Sequence, residues 1–484
     1  MSENKRIAII GAGMSGILAA IKLKEQGEAN IVVYEKGDSL GGVWRENRYP
    51  GLTCDVPAHC YTYTFAPYAE WSAYYATGAE IKAYFEKVVD DFGIRDLIRF
   101  NSEVKSCVWQ DGKWQIGLAD GHADRADIVF AASGPLHHPK YPDIPGIETF
   151  EGPMLHSTRW DAAVDLQGKR IGVIGNGSTG VQIVAALAET AAKLVHFQRS
   201  PQWIMPIRQF EYTEAERQAF REDPAKIDAI RFGDEYWSGI RRFNAAIIDP
   251  DSPEMKEIEN LCLQNLEDNV RDPALREKLR PNYRAACKRL VYSWNYYDAV
   301  QAANVLVETG GIAEIEPKGV RLKDGTLHEL DVIALATGFR TDMFIKPTKV
   351  IGAGGRDLDE FWKARPTAHY AVALPGFPNF FMLNGPTGPV GNFSLIDIAE
   401  KQWTYLEPLL EPVLAGKASS VAPTDEAHAA YEERRIEAAK KTVFGSGCTS
   451  WYLDAEGIPL TWPWTYQAFA DAMANPNMNE YEFG

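Results

Sequence analysis

A chain of 484 residues, 45% apolar and 24% charged, has the make-up of an ordinary globular protein, with room for roughly three domain-sized units around a large core. Its formal net charge of −16 repels phosphate backbones and anionic lipid, which excludes nucleic acid and membrane surfaces as expected partners and leaves solubility as the reason for the acidity. The longest apolar run, residues 7–21, is too short to span a bilayer, is interrupted by glycines and is followed by no small-residue cleavage site. The cysteines, Cys54, Cys60, Cys107, Cys262, Cys287 and Cys448, include no C-x-x-C pair and no His/Cys cluster at zinc spacing. That pattern argues against a dithiol enzyme and a metal site, and fits a reducing, cytoplasmic setting. Cys54 reads as a small packed residue.

The first element is an apolar strand, Ile7 to Ile10, running into Gly11-x-Gly13-x-x-Gly16 and a helix that opens on Met14 and Ser15. A lone glycine triad is a weak signal. Here a second apolar strand, Ile31 to Tyr34, follows and ends on Glu35, which completes a dinucleotide-binding unit. Gly11 permits the tight turn, Gly13 lets a pyrophosphate approach the backbone, and Gly16 lets the helix pack on the strand. The free N–H groups of the helix then face the phosphates. Glu35 can accept hydrogen bonds from a ribose diol, so this unit reads as the site of FAD. Next comes GGVWRENRYPGLTCD, residues 41–55, rich in glycine and aromatic side chains. An apolar run from Ala126 to Gly134 reads as a buried parallel strand closing the sheet. FEGPMLHSTRWD, residues 150–161, then leads to a second unit, punctuated by Phe150, Gly152, His156, Trp160 and Asp161.

The glycine pattern recurs in RIGVIGNGSTGVQIVAAL, with Gly175, Gly177 and Gly180 framing Asn176, Ser178 and Thr179. The strand from Leu194 to Phe197 leads to Gln198-Arg199-Ser200, and Arg199 keeps the spacing from Gly180 that Glu35 keeps from Gly16. A carboxylate suits a free 2′-hydroxyl and a guanidinium suits a 2′-phosphate, so the second unit reads as the site of NADPH. Residues 211–285 are charged, with helical apolar spacing, and read as a helical insertion. A second closing strand runs from Leu330 to Gly338. Beyond residue 370, Pro/Gly-rich loops precede an amphipathic helix from Ala399 to Leu414. The expected fold is therefore α/β, with two Rossmann-like domains: residues 1–145 and 370–484 for FAD, 146–210 and 286–369 for NADPH, and 211–285 inserted.

The linker fits F-x-G-x-x-x-H-x-x-x-W-[P/D] at Phe150, Gly152, His156, Trp160 and Asp161, and so resembles the fingerprint of type I Baeyer–Villiger monooxygenases. The stretch 41–55 is similar to the family's other signature, with Gly42, Trp44, Tyr49, Pro50, Gly51 and Asp55 in place. Related flavin monooxygenases that oxygenate amines and sulfides usually carry another aromatic where Trp160 stands. The resemblance covers nearly the whole chain and is weakest in the insertion. It departs at Asn176, where relatives more often have a small hydroxyl or alanine.

The resemblance implies that NADPH reduces FAD, that oxygen adds at flavin C4a, and that the deprotonated peroxide attacks a ketone carbonyl to yield an ester or lactone. Arg289 is implied as a fixed cation above the flavin, Asp55 as the carboxylate that orients it, and Lys288 as a second contact to the 2′-phosphate beside Arg199 and Ser200. Gly42, Val43, Trp44, Tyr61 and Val104 are implied at FAD, and Trp451 near the nicotinamide. The linker residues are expected to couple domain movement, with His156 a neutral, satisfied residue. Phe393, Trp451 and the loop 386–391 are expected to line the pocket. The expected partners are a small-molecule ketone and O2. Two other readings stand beside this one: an N- or S-oxygenating flavin monooxygenase, and a non-catalytic flavoprotein that senses NADPH. A sensor has no need of Arg289 and Asp55.

Overall fold

The computed structural model describes residues 4–389, 391 and 393–484. Two five-stranded sheets, parallel throughout, carry the fold. The first runs in the order Phe380–Met382, Ile128–Ala131, Ile7–Ile10, Ile31–Tyr34, Ile98–Arg99. In the second, Met154–His156, Val332–Leu335, Arg170–Ile174, Lys193–Phe197 and Val305–Glu308 occupy the same places. Four of the interior strands are four-residue apolar runs buried at every position, and Arg170–Ile174 and Lys193–Phe197 are buried after a partly exposed first residue, as parallel strands covered on both faces must be. Each such aliphatic side chain contributes about 1.5–3 kcal/mol through burial. The runs expected over 126–134 and 330–338 join these two sheets only over Ile128–Ala131 and Val332–Leu335, and Ala126 pairs instead with Trp114 in a separate sheet. Their last residues bend over the glycine turns, where the carbonyls of Ala132 and Ala336 close on Gly11 and Gly175.

The linker has a definite place in this arrangement. Met154–His156 is the edge strand of the second sheet, in register with Ile333–Leu335, and holds there the position that Phe380–Met382 holds in the first.

The insertion forms helices Glu214–Glu222, Ala225–Arg231, Asp234–Ile248, Pro253–Asn269 and Pro273–Leu279. Local chemistry starts them: a Thr213/Glu216 capping box, and Ser252 and Asp272 as caps ahead of proline at the first turn. The paired strands Ile204–Pro206 and Val291–Ser293 frame the insertion. Phe220 and Ile227 pack into the first domain's core, whereas Phe243, Ile247, Met255 and Ile258 build a separate cluster with Cys287 and Tyr452. The helix expected from Ala399 begins earlier, as Leu395–Leu414.

Two expectations need correction. The boundary at 369/370 is too late, because Lys349–Ile351 pairs with Val104–Gln110 and the chain from Phe344 to Ala368 packs with Tyr34 and Trp114 of the first domain. Burial against a meander strand far upstream leaves no mark in local periodicity. The cysteines are not all thiols either: Cys287 and Cys448 form a disulfide across a sequence separation of 161, which no local spacing pattern reveals. Cys54, Cys60, Cys107 and Cys262 are free and buried. Among the described residues no helix is long and apolar enough to cross a membrane, and no group of three or more His, Cys, Asp or Glu side chains is placed to hold a metal ion.

Candidate cofactor and active site

The two glycine turns are near-copies. Gly11 and Gly175 have φ of +104° and +105°, and a Cβ there would lie 2.7 Å from the Ala132 oxygen and 2.3 Å from the Ala336 oxygen. Only glycine fits such a turn. The helices that follow, Met14–Glu25 and Ser178–Leu187, start on Gly13 and Gly177 without a side-chain cap, so their first N–H groups are free for an anion. A Cβ at Gly177 would meet nothing within 4 Å; the protein does not fill that space itself. Ser133 Oγ beside the first turn and Ser178 Oγ in the second are buried without a hydrogen-bond partner. These orphans, the open space and the uncapped helices fit a pyrophosphate at each turn.

Around the first turn the expected FAD residues come together. Glu35 is 4% exposed and accepts from the amides of Ala12 (2.9 Å) and Gly37 (2.8 Å) and from Arg45 (2.8 Å), which fixes its carboxylate at the end of the second strand. Gly42 and Val43 open a short helix, Val43–Glu46, and the Gly42 and Gly13 backbones lie in contact. Trp44 Nε1 donates to the Tyr61 hydroxyl (3.3 Å), Tyr61 in turn points at the Met14 sulfur (3.6 Å), and Ser15 Oγ accepts from Asn384 (3.0 Å). Val104 is buried where its strand begins, in the cluster containing Tyr34 and Ala131.

At the second turn, Lys288 Nζ donates to Ser200 Oγ (3.0 Å). Burial, then the charge of Arg199, pulls the Lys288 ammonium below its ordinary range. Lys288 alone is placed on the Ser200 hydroxyl, while Arg199 is exposed and near enough to repel the Lys288 charge, an arrangement open to an anion. Asn176 has a different task, since its amide donates to Gln198 Oε1 and the Ser200 oxygen, both at 2.7 Å. It braces the loop that carries Arg199, and its side-chain amide has no N–H to spare for a phosphate.

Arg289 meets Asp55 between the domains. Its Nη2 donates to Asp55 Oδ2 (2.7 Å) and its Nη1 to the Gly391 carbonyl (2.8 Å). Burial disfavours the charged guanidinium, but Asp55 and the nearby Tyr452 hydroxyl outweigh it and hold the pKa above its ordinary value. Tyr452 was not foreseen, and only its proximity to Trp451 in the sequence hinted at it. Trp451 itself is 42% exposed, its ring tilted against Tyr452 with centroids 4.1 Å apart.

A second unforeseen residue is Gln182. It donates to Thr53 O (3.0 Å) and Thr53 Oγ1 (3.2 Å) and accepts from the Tyr49 hydroxyl (2.9 Å), which also receives a bond from Thr179 (3.4 Å). The stretch 41–55 thereby belongs to both domains. Beside Gly391, a narrow apolar cleft is lined by Asn244, Ile247, Pro389, Phe393, Trp462 and Tyr466, among others. Trp451 is not part of its wall, and Val390, within the loop expected there, lies outside the described residues.

In the linker, His156 is 1% exposed. Its Nε2 bonds the Gly338 carbonyl (3.2 Å) and its Nδ1 accepts from Thr158 Oγ1 (3.0 Å) and the Thr158 amide (3.3 Å). Burial lowers its pKa, so it is a neutral brace between the edge strand and the end of the closing strand. Phe150 and Gly152 pack against each other over Asp331, Asp161 caps a turn through the Ala163 amide (2.9 Å), and Trp160 lines a polar cleft of about 400 Å³ with Arg45, Arg48 and Arg159.

Residues 4–213 match the family described as flavin-binding monooxygenase-like. A Baeyer–Villiger monooxygenase of Streptomyces coelicolor is 40% identical over 486 residues, covering 99% of this chain and 93% of that protein. Among solved structures, cyclohexanone monooxygenase from Rhodococcus sp. Phi1 bound to NADP+ superposes with a TM-score of 0.87 at 29% identity, covering 99% of both chains. The OTEMO complex with FAD and NADP superposes with a TM-score of 0.88 at 25% identity, covering 100% of both.

Proposed function

The chain belongs to the type I Baeyer–Villiger monooxygenase family, and from that premise we propose that Arg289, held by Asp55 where the two nucleotide domains meet, is the cation on which its oxygenation depends. The protein is an FAD-containing, NADPH- and O2-dependent monooxygenase. When bound, FAD supplies the oxygen-activating chemistry and NADPH the hydride. The chain's own residues bind and orient. Glu35 takes the ribose of FAD, and the helix starting at Met14 takes its pyrophosphate. Arg199, Ser200 and Lys288 clasp the 2′-phosphate of NADPH, with the helix starting at Ser178 on its pyrophosphate.

Arg289 stays charged at any working pH and keeps its protons, while Asp55 fixes its fork in one orientation. The ketone carbonyl gains negative charge when its carbon is attacked. A preorganised guanidinium beside it stabilises that charge at no cost in reorganisation. The Gly391 carbonyl takes a second N–H of Arg289, which holds the guanidinium from the side away from Asp55 and leaves donors free for a developing oxyanion. The working compartment on this reading is the cytoplasm.

The observation that carries the proposal is the Arg289–Asp55 pair, formed between residues of different domains. The test is NADPH oxidation with a panel of ketones under isotope-labelled O2, with products weighed by mass spectrometry. Esters or lactones carrying one labelled oxygen are expected. Labelled amine or sulfide oxides without any ester would overturn it.

A further inference from the structure

We propose that Cys287 and Cys448 are a peroxide-oxidised thiol pair that fastens the Tyr452-bearing loop to the Arg289 segment. The inference rests on the reading of Arg289 given above. Cys287 is fully buried and directly precedes Lys288 and Arg289; Cys448 is half-buried, and the Cα atoms lie 6.0 Å apart. Among the described residues, every hydrogen bond made by residues 446–450 is local to residues 443–453. Apart from packing of the flanking Phe444 and Tyr452, the disulfide is therefore what joins this segment to the body of the protein. Trp451 and Tyr452 follow at once, and the buried Tyr452 hydroxyl lies beside Arg289. Tyr452 is also anchored by burial and by its contact with Phe444, so the covalent bond adds a tie that limits how far the loop beside the catalytic cation can move.

In a reducing compartment such a bond is transient, and transient disulfides there serve redox sensing. An oxidant is close at hand. Hydrogen peroxide is the product whenever NADPH and O2 are consumed without oxygenating a ketone. Cys448 is the accessible sulfur: it takes one oxygen from peroxide to become a sulfenic acid, and one water leaves. The Cys287 sulfur then attacks the Cys448 sulfur, the S–S bond forms, and the sulfenic oxygen departs with both remaining protons as a second water. Two thiols lose two electrons and two protons, and one peroxide becomes two waters. A small dithiol reverses the bond by exchange. The other cysteines are poor competitors. Burial pushes the Cys60, Cys107 and Cys262 thiols up to about 12 and raises Cys54 as well, which removes the reactive thiolate.

The experiment uses the full-length protein with FAD, treated with dithiothreitol or with a slight excess of hydrogen peroxide, then alkylated and mapped by mass spectrometry. The linked 287–448 peptide should appear with peroxide and vanish with dithiothreitol. Limited proteolysis within 446–450 should run several-fold faster in the reduced form. Cys448→Ser should be cut at the reduced rate and ignore peroxide, and its ketone turnover should likewise not respond. A peptide that never links, a link that survives dithiothreitol in the folded protein, or equal proteolysis in both states overturns the proposal. Mapping and proteolysis need no ketone, so their outcome is independent of the substrate reading.

Discussion

Lys288 and Arg289 are chain neighbours whose side chains serve different sites, one at Ser200 and the other at Asp55. That division makes their substitutions separable. Arg289→Ala should still bind FAD and be reduced by NADPH, because hydride transfer relies on the two nucleotide turns. Ester formation should fall by about a hundredfold to a thousandfold, the effect of removing one preorganised charge contact, while peroxide release rises. Arg289→Lys should rescue poorly, since a point charge cannot form the fork that Asp55 and Gly391 receive. Stopped-flow reduction read beside ester yield tests this, and an undiminished ester rate would move the catalytic cation elsewhere. Arg199→Ala should weaken NADPH by about 1.5–3 kcal/mol, the range for a hydrogen bond to a charged group, and leave NADH nearly unchanged. Titrating both cofactors decides it: equal losses would mean Arg199 only shapes the loop.

At the level of elements, the helix Ser178–Leu187 does more than present N–H groups to a phosphate. Through Gln182 it grips Thr53 and Tyr49, which lie just ahead of Asp55 in the chain. Each such neutral bond contributes about 0.5–1.5 kcal/mol, enough to bias the pose of one domain on the other. Gln182→Ala is expected to retain FAD and fold normally, yet to oxidise more NADPH per ester formed. The ratio of NADPH consumed to product made is the measurement, and an unchanged ratio would reduce Gln182 to a packing role. Gly16→Ala is the element-level test of the first turn. Its Cβ would stand 1.9 Å from the Gly11 carbonyl, so helix and strand must separate. The purified variant should lose its yellow colour, and one that holds FAD as well as the parent would refute the close-packing argument.

For the whole molecule, acid stability follows from buried neutral histidines. His59, His137, His196 and His428 are each held down to about 4 by burial, from an ordinary 6.5. A depressed histidine binds its proton more readily unfolded than folded, so its stabilising contribution is complete above pH 6.5 and is lost as pH falls from there toward 4. Asp397 and Glu400, raised by burial, pull the other way as they protonate, but two carboxyls are outnumbered. The Tm should therefore drop steadily between pH 6.5 and 4. A flat profile would mean these rings find water or partners as the fold breathes.

The legible part of this protein is its local grammar. Gly11-x-Gly13-x-x-Gly16, its repeat at Gly175, and the acidic or basic residue after each second strand depend on turn geometry and charge within a short span, so both nucleotide folds can be read directly. The helical insertion and the linker fingerprint are legible for the same reason. What only the tertiary structure decided involves partners far apart in the chain. The linker became an edge strand because Met154–His156 found Ile333–Leu335. Lys349–Ile351 joined the first domain because Val104–Gln110 offered a free edge. Tyr452 reached Arg289, Gln182 reached Thr53, and Cys287 reached Cys448. Spacing rules see only what one turn or one pleat brings together, whereas these contacts exist because separate apolar surfaces had to be buried against each other, and the polar groups on them were carried into reach.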